Sequence, residues 1–339
     1  MPLDPMRRIR WGMIGTGSVA QHKSGPAYAL AQGSELVAVA SRTAESARTY
    51  AARHGVAQVF ATPTDLIHSA AVDAVYIATP PSSHIPLALA VANAGKPCCI
   101  EKPMALCYRD ALAALQAFEA AALPLFVAYY RRSLPRFLQI AEWLRAGAIG
   151  TVRAVDWRLH RTAALAATAS NWRVDANEAP GGLFEDLACH GLDLFDFLLG
   201  PVLHVERATL EDAAGAVPHR VEAAWHHRNG VVGQGIWDFA ARERADVVTF
   251  TGDAGRIRCA MFDEAPVVLT AQGRSGERVI PNPVPIQLHH VEHMVAHLNG
   301  AAQHPSTAQS AIRTAWVMEQ ILRGSMTVRS TIAKTACVS

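Results

Sequence analysis

The stretch Ile9-Arg10-Trp11-Gly12-Met13-Ile14-Gly15-Thr16-Gly17-Ser18-Val19-Ala20 decides the fold. A mostly apolar run enters Gly-x-Gly-x-x-Ala, and the residues beyond it take helical spacing. A turn between a buried strand and a helix is the setting in which this glycine pattern holds a dinucleotide. Gly15 permits the tight turn, Gly17 lets the backbone approach a pyrophosphate, and Ala20 lets the helix pack closely on the strand. The helix start at Ser18 and Val19 then presents amide N–H groups and a partial positive charge to phosphates. The alternative is a tight turn with no ligand.

Outward from this loop, apolar β-rich runs at 9–14, 36–40, 74–78, 98–101 and 125–129 alternate with Ala-rich helical segments near 18–31, 43–54, 83–94 and 107–122. Near-continuous apolar strands joined by helices predict a parallel sheet covered on both faces. After about residue 130 the texture changes. A helix is expected at 134–147, a strand at 151–160 and an apolar helix at 183–199. From 203 to 280 alternating strands dominate, among them 221–227, 231–239, 246–251 and 267–271. Turn signals at Arg228-Asn229-Gly230 and Gly252-Asp253-Ala254-Gly255 predict an antiparallel meander. Helical segments near 288–299 and 307–323 follow, and 163–167 has the composition of a mobile loop. The expected fold class is α/β: a Rossmann dinucleotide-binding domain over 1–128, then an α/β domain with a large antiparallel sheet over 129–339.

The bulk numbers agree with two domains: 339 residues, half of them apolar and 18% charged, with net charge +2. No run of like charges suits nucleic acid or an anionic membrane. No stretch of about 18 apolar residues spans a bilayer, and the N-terminus lacks the apolar core of a signal peptide. The six cysteines (98, 99, 107, 189, 259 and 337) form no Cys-x-x-Cys pair, and they suit free thiols in a reducing cytoplasm.

The second strand ends in Ser41-Arg42-Thr43, where an NAD site usually places a carboxylate for the ribose diol. A hydroxyl and a guanidinium suit a 2′-phosphate instead, so NADP is the expected cofactor, with NAD the alternative. If Arg42 points into solvent, that preference falls away. Thr79-Pro80-Pro81-Ser82-Ser83-His84 follows another strand at the carboxyl edge of the sheet, where ligands of open α/β sheets bind. His84 is expected near the cofactor, and the pattern gives it no catalytic partner.

Strand 98–101 finishes with Glu101-Lys102-Pro103. Of 31 basic residues only four are Lys (23, 96, 102 and 334). A lysine at the edge of an apolar strand, in a chain that otherwise uses Arg, suggests a compact ammonium with a tunable pKa. An ordinary surface lysine with its stem on apolar surface is the alternative. After Gly181-Gly182, Asp186, His190 and Asp193 share one helical face at i, i+4 and i+7. Asp and His are poor helix formers and together make an acid–base pair facing either water or a cleft. A metal site there, or at His289, His293 and His297, lacks a familiar ligand set, so no metal is expected. The latter three are expected on a helix surface near the cleft.

Taken together, Gly15-Thr16-Gly17-Ser18-Val19-Ala20, Glu101-Lys102-Pro103, Tyr129-Tyr130-Arg131-Arg132, Trp172-Arg173 and Asp186…His190…Asp193 occur in the order seen in one family. The chain resembles the glucose-fructose oxidoreductase / inositol dehydrogenase (Gfo/Idh/MocA) family over nearly its whole length. The resemblance implies hydride exchange between NAD(P) and a sugar, polyol or related carbonyl. It also implies a homodimer or homotetramer formed through the C-terminal sheet. By it, Lys102 bonds the reacting oxygen, His190 is the general acid/base, and Asp186 binds or orients the substrate. Trp172, Arg173 and Tyr130 match positions lining the nicotinamide end, with Arg173 also near the substrate, and Thr79, Pro80, His84 and Glu101 fall among the cofactor-side residues. Ser41-Arg42 is similar to the pair in NADP-using members, among them 1,5-anhydrofructose reductases. Tyr130 departs from those, which tend to carry Asn there.

The residues agree with that chemistry. Oxidising an alcohol requires a base, and histidine's ordinary pKa lies nearest neutrality. An ammonium such as Lys102 stabilises developing alkoxide character. No Tyr-x-x-x-Lys supports a short-chain dehydrogenase mechanism. Two other functions fit the scaffold: a dihydrodiol dehydrogenase or imine-type reductase, and an NADP-binding sensor without catalysis. A sensor would need neither Lys102 nor the Asp186/His190 pair.

Overall fold

The computed structural model describes residues 8–162, 175, 179–212 and 217–324. Trp172, Arg173 and the 163–167 segment lie outside the described residues. The chain divides into two compact units, Met1–Leu134 with Asn282–Ile312, and Pro135–Pro281 with Arg313–Ser339. The sequence expectation of one crossing at 128/129 thus meets a chain whose 282–312 segment groups with the first unit.

In the first unit the strands are β1 (Ile9–Ile14), β2 (Ser34–Ala40), β3 (Gln58–Val59), β4 (Ala74–Ile77), β5 (Cys98–Ile100) and β6 (Leu125–Val127). They pair in parallel in the order β3-β2-β1-β4-β5-β6. Every residue of β4, β5 and β6 is buried, as strands covered on both faces must be. The order reverses between β1 and β4, which opens a crevice beyond their carboxyl ends. Helices α1 (Gly25–Leu30), α2 (Ala44–His54), α3 (Pro63–His68), α4 (His84–Asn93) and α5 (Tyr108–Ala120) connect the strands. A π-helical turn, Ala20–Ser24, leads into α1. Trp11 meets Tyr28 edge-on at 4.9 Å and Tyr28 stacks on Tyr76 at 4.5 Å, which fixes how α1 sits on the sheet. Two-residue β3, at the sheet edge, is too short to show in the sequence pattern.

In the second unit, α6 (Pro135–Arg145) and α7 (Gly182–Leu199) accompany β7 (Val152–His160), β8 (Val202–Asp212), β9 (Pro218–His227), β10 (Val232–Asp238), β11 (Ala245–Gly252), β12 (Gly255–Cys259), β13 (Val267–Ala271) and β14 (Arg274–Arg278). The sheet order is β14-β13-β12-β11-β7-β10-β9-β8. Only β7 and β10 pair in parallel, so the expected mostly antiparallel sheet is present. On β7, Val155, Trp157 and Leu159 are buried while Asp156 and Arg158 are exposed, the period-two signature of a sheet covered on one face. Helix α7 lies on the covered face. A Cβ on Gly191 would stand 2.3 Å from the Trp157 ring, so glycine is what lets helix and strand approach. Trp157 also meets Phe195 and Trp237 edge-on, at 5.9 and 5.5 Å.

The chain then returns to the first unit. Helix α8 (Leu288–Leu298) presses Val291, Met294 and Val295 into the core around Trp11, Tyr28 and Tyr76. Helix α9 (Ala308–Gly324) follows. Among the described residues no helix is long and apolar enough to cross a membrane.

Candidate active site

Parallel strands deliver their carboxyl ends to one edge, and the loops following β1, β2, β4 and β5 there carry residues expected from the sequence to serve the cofactor. Gly15 has φ +101°, and a Cβ there would stand 2.6 Å from the Ala78 carbonyl oxygen at the end of β4. Glycine is required both for the dihedral and for the approach. A Cβ on Gly17 would meet nothing within 4 Å, so the backbone borders open space. Gly17 and Ser18 are exposed, Val19 is half-buried and Thr16 is buried. This cradle fits a dinucleotide: an open approach to the backbone, and the first turn of a helix whose N–H groups have no partner within the helix.

Thr16 ties the loop to the end of β2. Its hydroxyl donates to Ser41 Oγ at 3.0 Å and lies 2.7 Å from Ser46 Oγ. Thr43 caps α2, accepting from the Ser46 N–H at 3.3 Å. Arg42 is exposed between Ser41 and that helix start. Ser41 is half-buried and Arg42, the next residue, is open to solvent.

At the ends of β4 and β5 the residues brace one another. The His84 ring is fully buried, with Nε2 2.9 Å from the Thr79 carbonyl oxygen and Nδ1 2.9 Å from that of Pro103. Burial lowers its pKa, against the pull of those carbonyls. His84 thus joins the loop after β4 to the loop carrying Lys102, and the Lys102–Pro103 peptide is cis. Ser83 donates to Thr79 Oγ1 at 2.7 Å and contacts the Pro80 carbonyl at 2.9 Å, holding the same turn. Glu101 is buried. Its Oε1 accepts from Tyr76 at 2.7 Å and from Gln287 Nε2 at 3.0 Å, and its Oε2 accepts from the Lys102 N–H at 3.2 Å. Lys102 itself is half-buried. His84 and Glu101 shape this edge from beneath, with ring and carboxylate committed to protein partners. Tyr130 opens a 3-10 turn, Tyr130–Ser133, with the Arg131 guanidinium 5.0 Å over its ring.

In the second unit α7 brings Asp186 and His190 together, 6% and 4% exposed. Both, and Asp193, are buried, so of the two settings expected for this face, water or a cleft, it is not water: α7 is covered nearly all round. Asp193 accepts from Thr314 at 3.3 Å, and Asp196 holds the Arg313 guanidinium at 2.7 and 2.6 Å. The imidazole of His190 meets the half-buried Phe262 ring edge to face, centroids 6.0 Å apart.

Several residues of this neighbourhood are not signalled by the sequence. Burial pushes the Glu185 carboxyl up to about 7, with the charge of Asp186 adding and a hydrogen bond from the Gly181 N–H, 3.0 Å, opposing. Asp246 accepts from the backbone N–H groups of Met261, Phe262 and Asp263, at 3.0, 2.6 and 3.1 Å, and so holds the loop bearing Phe262. Arg136 donates to the Asp263 and Ala265 carbonyls at 2.6 and 3.1 Å from the other side. Arg161 lies 5.5 Å over Phe262. The one sequence signal among these was Glu185, a carboxylate next to Asp186 in a mostly apolar helix.

Of the histidines expected on a helix surface, His289, His293 and His297 are half-buried, with His289 2.9 Å from Glu292, while His290 beside them turns inward. His290 is 1% exposed and His304 4%, their rings edge to face at 4.7 Å. His304 Nδ1 accepts from the Ser306 N–H at 2.9 Å while Nε2 faces the His290 carbonyl at 3.2 Å, which suits a neutral ring. Burial lowers His290, His293 and His297, and takes His304 to about 3. Only His290, one residue off that face, is turned inward, where His304 meets it from a later loop. Among the described residues no three His, Cys, Asp or Glu side chains are grouped to hold a metal.

Comparison with known proteins accords with this geometry. Residues 9–129 match the Gfo/Idh/MocA oxidoreductase family, NAD-binding Rossmann fold, and residues 137–258 match the Gfo/Idh/MocA C-terminal domain. The chain is 34% identical to Oxidoreductase P35 of Formosa agariphila, over 92% of this chain and 98% of that protein. It is 27% identical to the 1,5-anhydro-D-fructose reductase of Ensifer adhaerens, over 80% and 82%. The aldose-aldose oxidoreductase of Caulobacter crescentus superposes with a TM-score of 0.84 at 23% identity, covering 94% of this chain and 98% of that one. A nucleotide cradle on a parallel sheet, a second unit built on an open sheet, and matches to both halves make this chain an oxidoreductase of the Gfo/Idh/MocA family.

Proposed function

We propose that the protein exchanges hydride between NADP and a sugar, polyol or related carbonyl. Residues 1–128 would hold the dinucleotide and residues 129–339 the substrate. The observation that carries the cofactor half is the Gly15 turn, strained for any other residue, beside the open backbone of Gly17. The bound nicotinamide supplies the hydride chemistry.

The chain's own residues position the dinucleotide and move the proton. Gly15, Thr16, Gly17, Ser18 and Val19 hold the pyrophosphate, and Ser41 with Arg42 takes the 2′-phosphate. Thr79 and Pro80 border the crevice, held by His84, while Glu101 orients the Lys102 backbone. Lys102 donates to the reacting oxygen. His190 takes the hydroxyl proton in oxidation or returns it in reduction, and Asp186 orients the substrate. By the family resemblance, Tyr130, Trp172 and Arg173 would serve the nicotinamide end, and Arg173 the substrate as well. Two of the relatives are named for sugar chemistry, which supports the substrate class. The open face of the second sheet is the surface through which two or four copies associate.

The test is reduced-nicotinamide absorbance with NADPH and NADH in parallel, across sugars, polyols, keto-sugars and aromatic diols. Turnover of a sugar or polyol with NADPH is expected, and His190→Ala is expected to lower it by about two to four orders of magnitude with NADPH still bound. Turnover confined to aromatic diols, or full activity in His190→Ala, overturns the proposal.

A further inference from the structure

Behind the Phe262 loop the hydrogen bonds are unevenly shared. Asp246 accepts four hydrogen bonds: Trp157 Nε1 at 3.4 Å and Met261 N at 3.0 Å on Oδ1, Phe262 N at 2.6 Å and Asp263 N at 3.1 Å on Oδ2. Four donors fill the acceptor sites of a carboxylate. Arg161, at the end of β7, stands 4.0 Å from that carboxylate, close enough for charge balance and too far for a hydrogen bond. Its side chain is 12% exposed. Among the described residues its remaining side-chain contacts are the His160 carbonyl, at the 3.5 Å limit, and the face of Phe262.

A guanidinium carries five N–H donors in a planar fork, and removing them from water without partners is costly. Burial lowers the pKa of Arg161, against the charge of Asp246. Evolution has other ways to cap an aromatic ring. A desolvated fork with unused donors, still accessible, is suited to an anion that arrives from outside.

The ring that Arg161 covers is the one that meets His190, at 6.0 Å. We infer that Arg161 is a substrate-anion site, and that the substrate is a sugar or polyol carrying a carboxylate, paired with the Arg161 fork while its reacting hydroxyl lies at His190. This rests on the assignment of His190 under the proposed function. A planar carboxylate matches the fork through two parallel hydrogen bonds. A phosphate dianion would carry twice the charge toward Asp246. Arg244 and Asp263, paired with each other, bring opposite charges near Arg161.

The experiment compares kcat/KM for matched pairs, D-glucose with D-glucuronate and D-galactose with D-galacturonate, with glucose 6-phosphate alongside, in the native protein, Arg161→Gln and Arg161→Lys. Calorimetry measures glucuronate binding to each in the presence of NADPH. The acids are expected to be favoured by about tenfold or more, the scale of a charge-assisted pair. Arg161→Gln is expected to bring that ratio close to one, and Arg161→Lys to keep part of it. Equal use of acid and neutral sugar, or an undiminished ratio in Arg161→Gln, overturns the inference while leaving the proposed function standing. A larger preference for glucose 6-phosphate, lost in Arg161→Gln, overturns the carboxylate assignment. If no sugar turns over, the proposed function fails. Glucuronate binding that Arg161→Gln abolishes then still supports the anion site, and absence of binding overturns it. Should Arg161→Gln not fold, an unchanged acid preference in Arg161→Lys overturns the inference in its place.

Discussion

Phe262 and His190 meet edge to face, ring centroids 6.0 Å apart and planes at 82°. The contact constrains an imidazole that, under the proposed function, moves the proton. An edge-to-face pair contributes about 0.5–1.5 kcal/mol beyond area burial. Phe262→Ala is therefore expected to lower kcat/KM about two- to tenfold, with the far-UV spectrum and melting temperature nearly unchanged. Unaltered kinetics would show that the ring does not steer His190.

Asp246 is buried and supports the Phe262 loop through three backbone N–H groups. Asp246→Ala leaves those donors without their acceptor, at a cost of about 1–3 kcal/mol for each that water does not reach. A drop of about 3 kcal/mol in urea unfolding is expected, with activity falling more steeply than in Phe262→Ala. Asp246→Asn, which keeps one acceptor oxygen, is expected to recover part of both.

The two glycines of the nucleotide loop are expected to separate folding from binding. Gly15→Ala adds a methyl 2.6 Å from a backbone oxygen at φ +101°, and should reduce stability as well as NADPH affinity. A Cβ at Gly17 meets no protein atom within 4 Å. Gly17→Ala should melt like the native protein while binding NADPH more weakly. Unchanged affinity there would place the pyrophosphate elsewhere.

Arg42→Ala is expected to weaken NADPH about tenfold or more, the scale of a lost charged hydrogen bond, and to leave NADH nearly unaffected. An unchanged NADPH/NADH ratio in fluorescence titrations would remove the basis for NADP preference.

Stability should fall in acid through the histidines of α8 and the loop beyond it. The folded pKa of His304 is lowered from 6.5 to about 3. Between those values the unfolded chain binds the proton and the folded chain does not, so stability is present above 6.5 and declines as pH falls toward 3. His304 contributes a slope of about 1.4 kcal/mol per pH unit in that window, and the lowered His290, His293 and His297 act in the same direction. Urea midpoints at pH 7.5 and 5 measure the slope, and His304→Gln is expected to flatten it by one histidine's share.

The nucleotide half was legible because its requirements are local. A strand, a glycine turn and a helix start lie within twelve consecutive residues, and the positions that set the backbone are those the motif names. Asp186 and His190 were legible for a similar reason, since spacing on one helix places both on one face. Their surroundings were not. That α7 is covered nearly all round depends on a sheet built from strands more than a hundred residues apart in places, and on Gly191 meeting Trp157. The histidines of α8 show the same limit, because helical spacing groups side chains without saying what lies opposite them.

By itself the sequence determined the α/β class, the parallel sheet, the dinucleotide turn and the family, since periodicity and short motifs encode backbone geometry directly. Only the tertiary structure decided that His84 and Glu101 brace loops from within, that Asp246 carries the Phe262 loop, and that Arg161 keeps unused donors beside the ring that meets His190. Burial and charge pairing are properties of neighbours brought together by folding, and no local pattern in the chain records them.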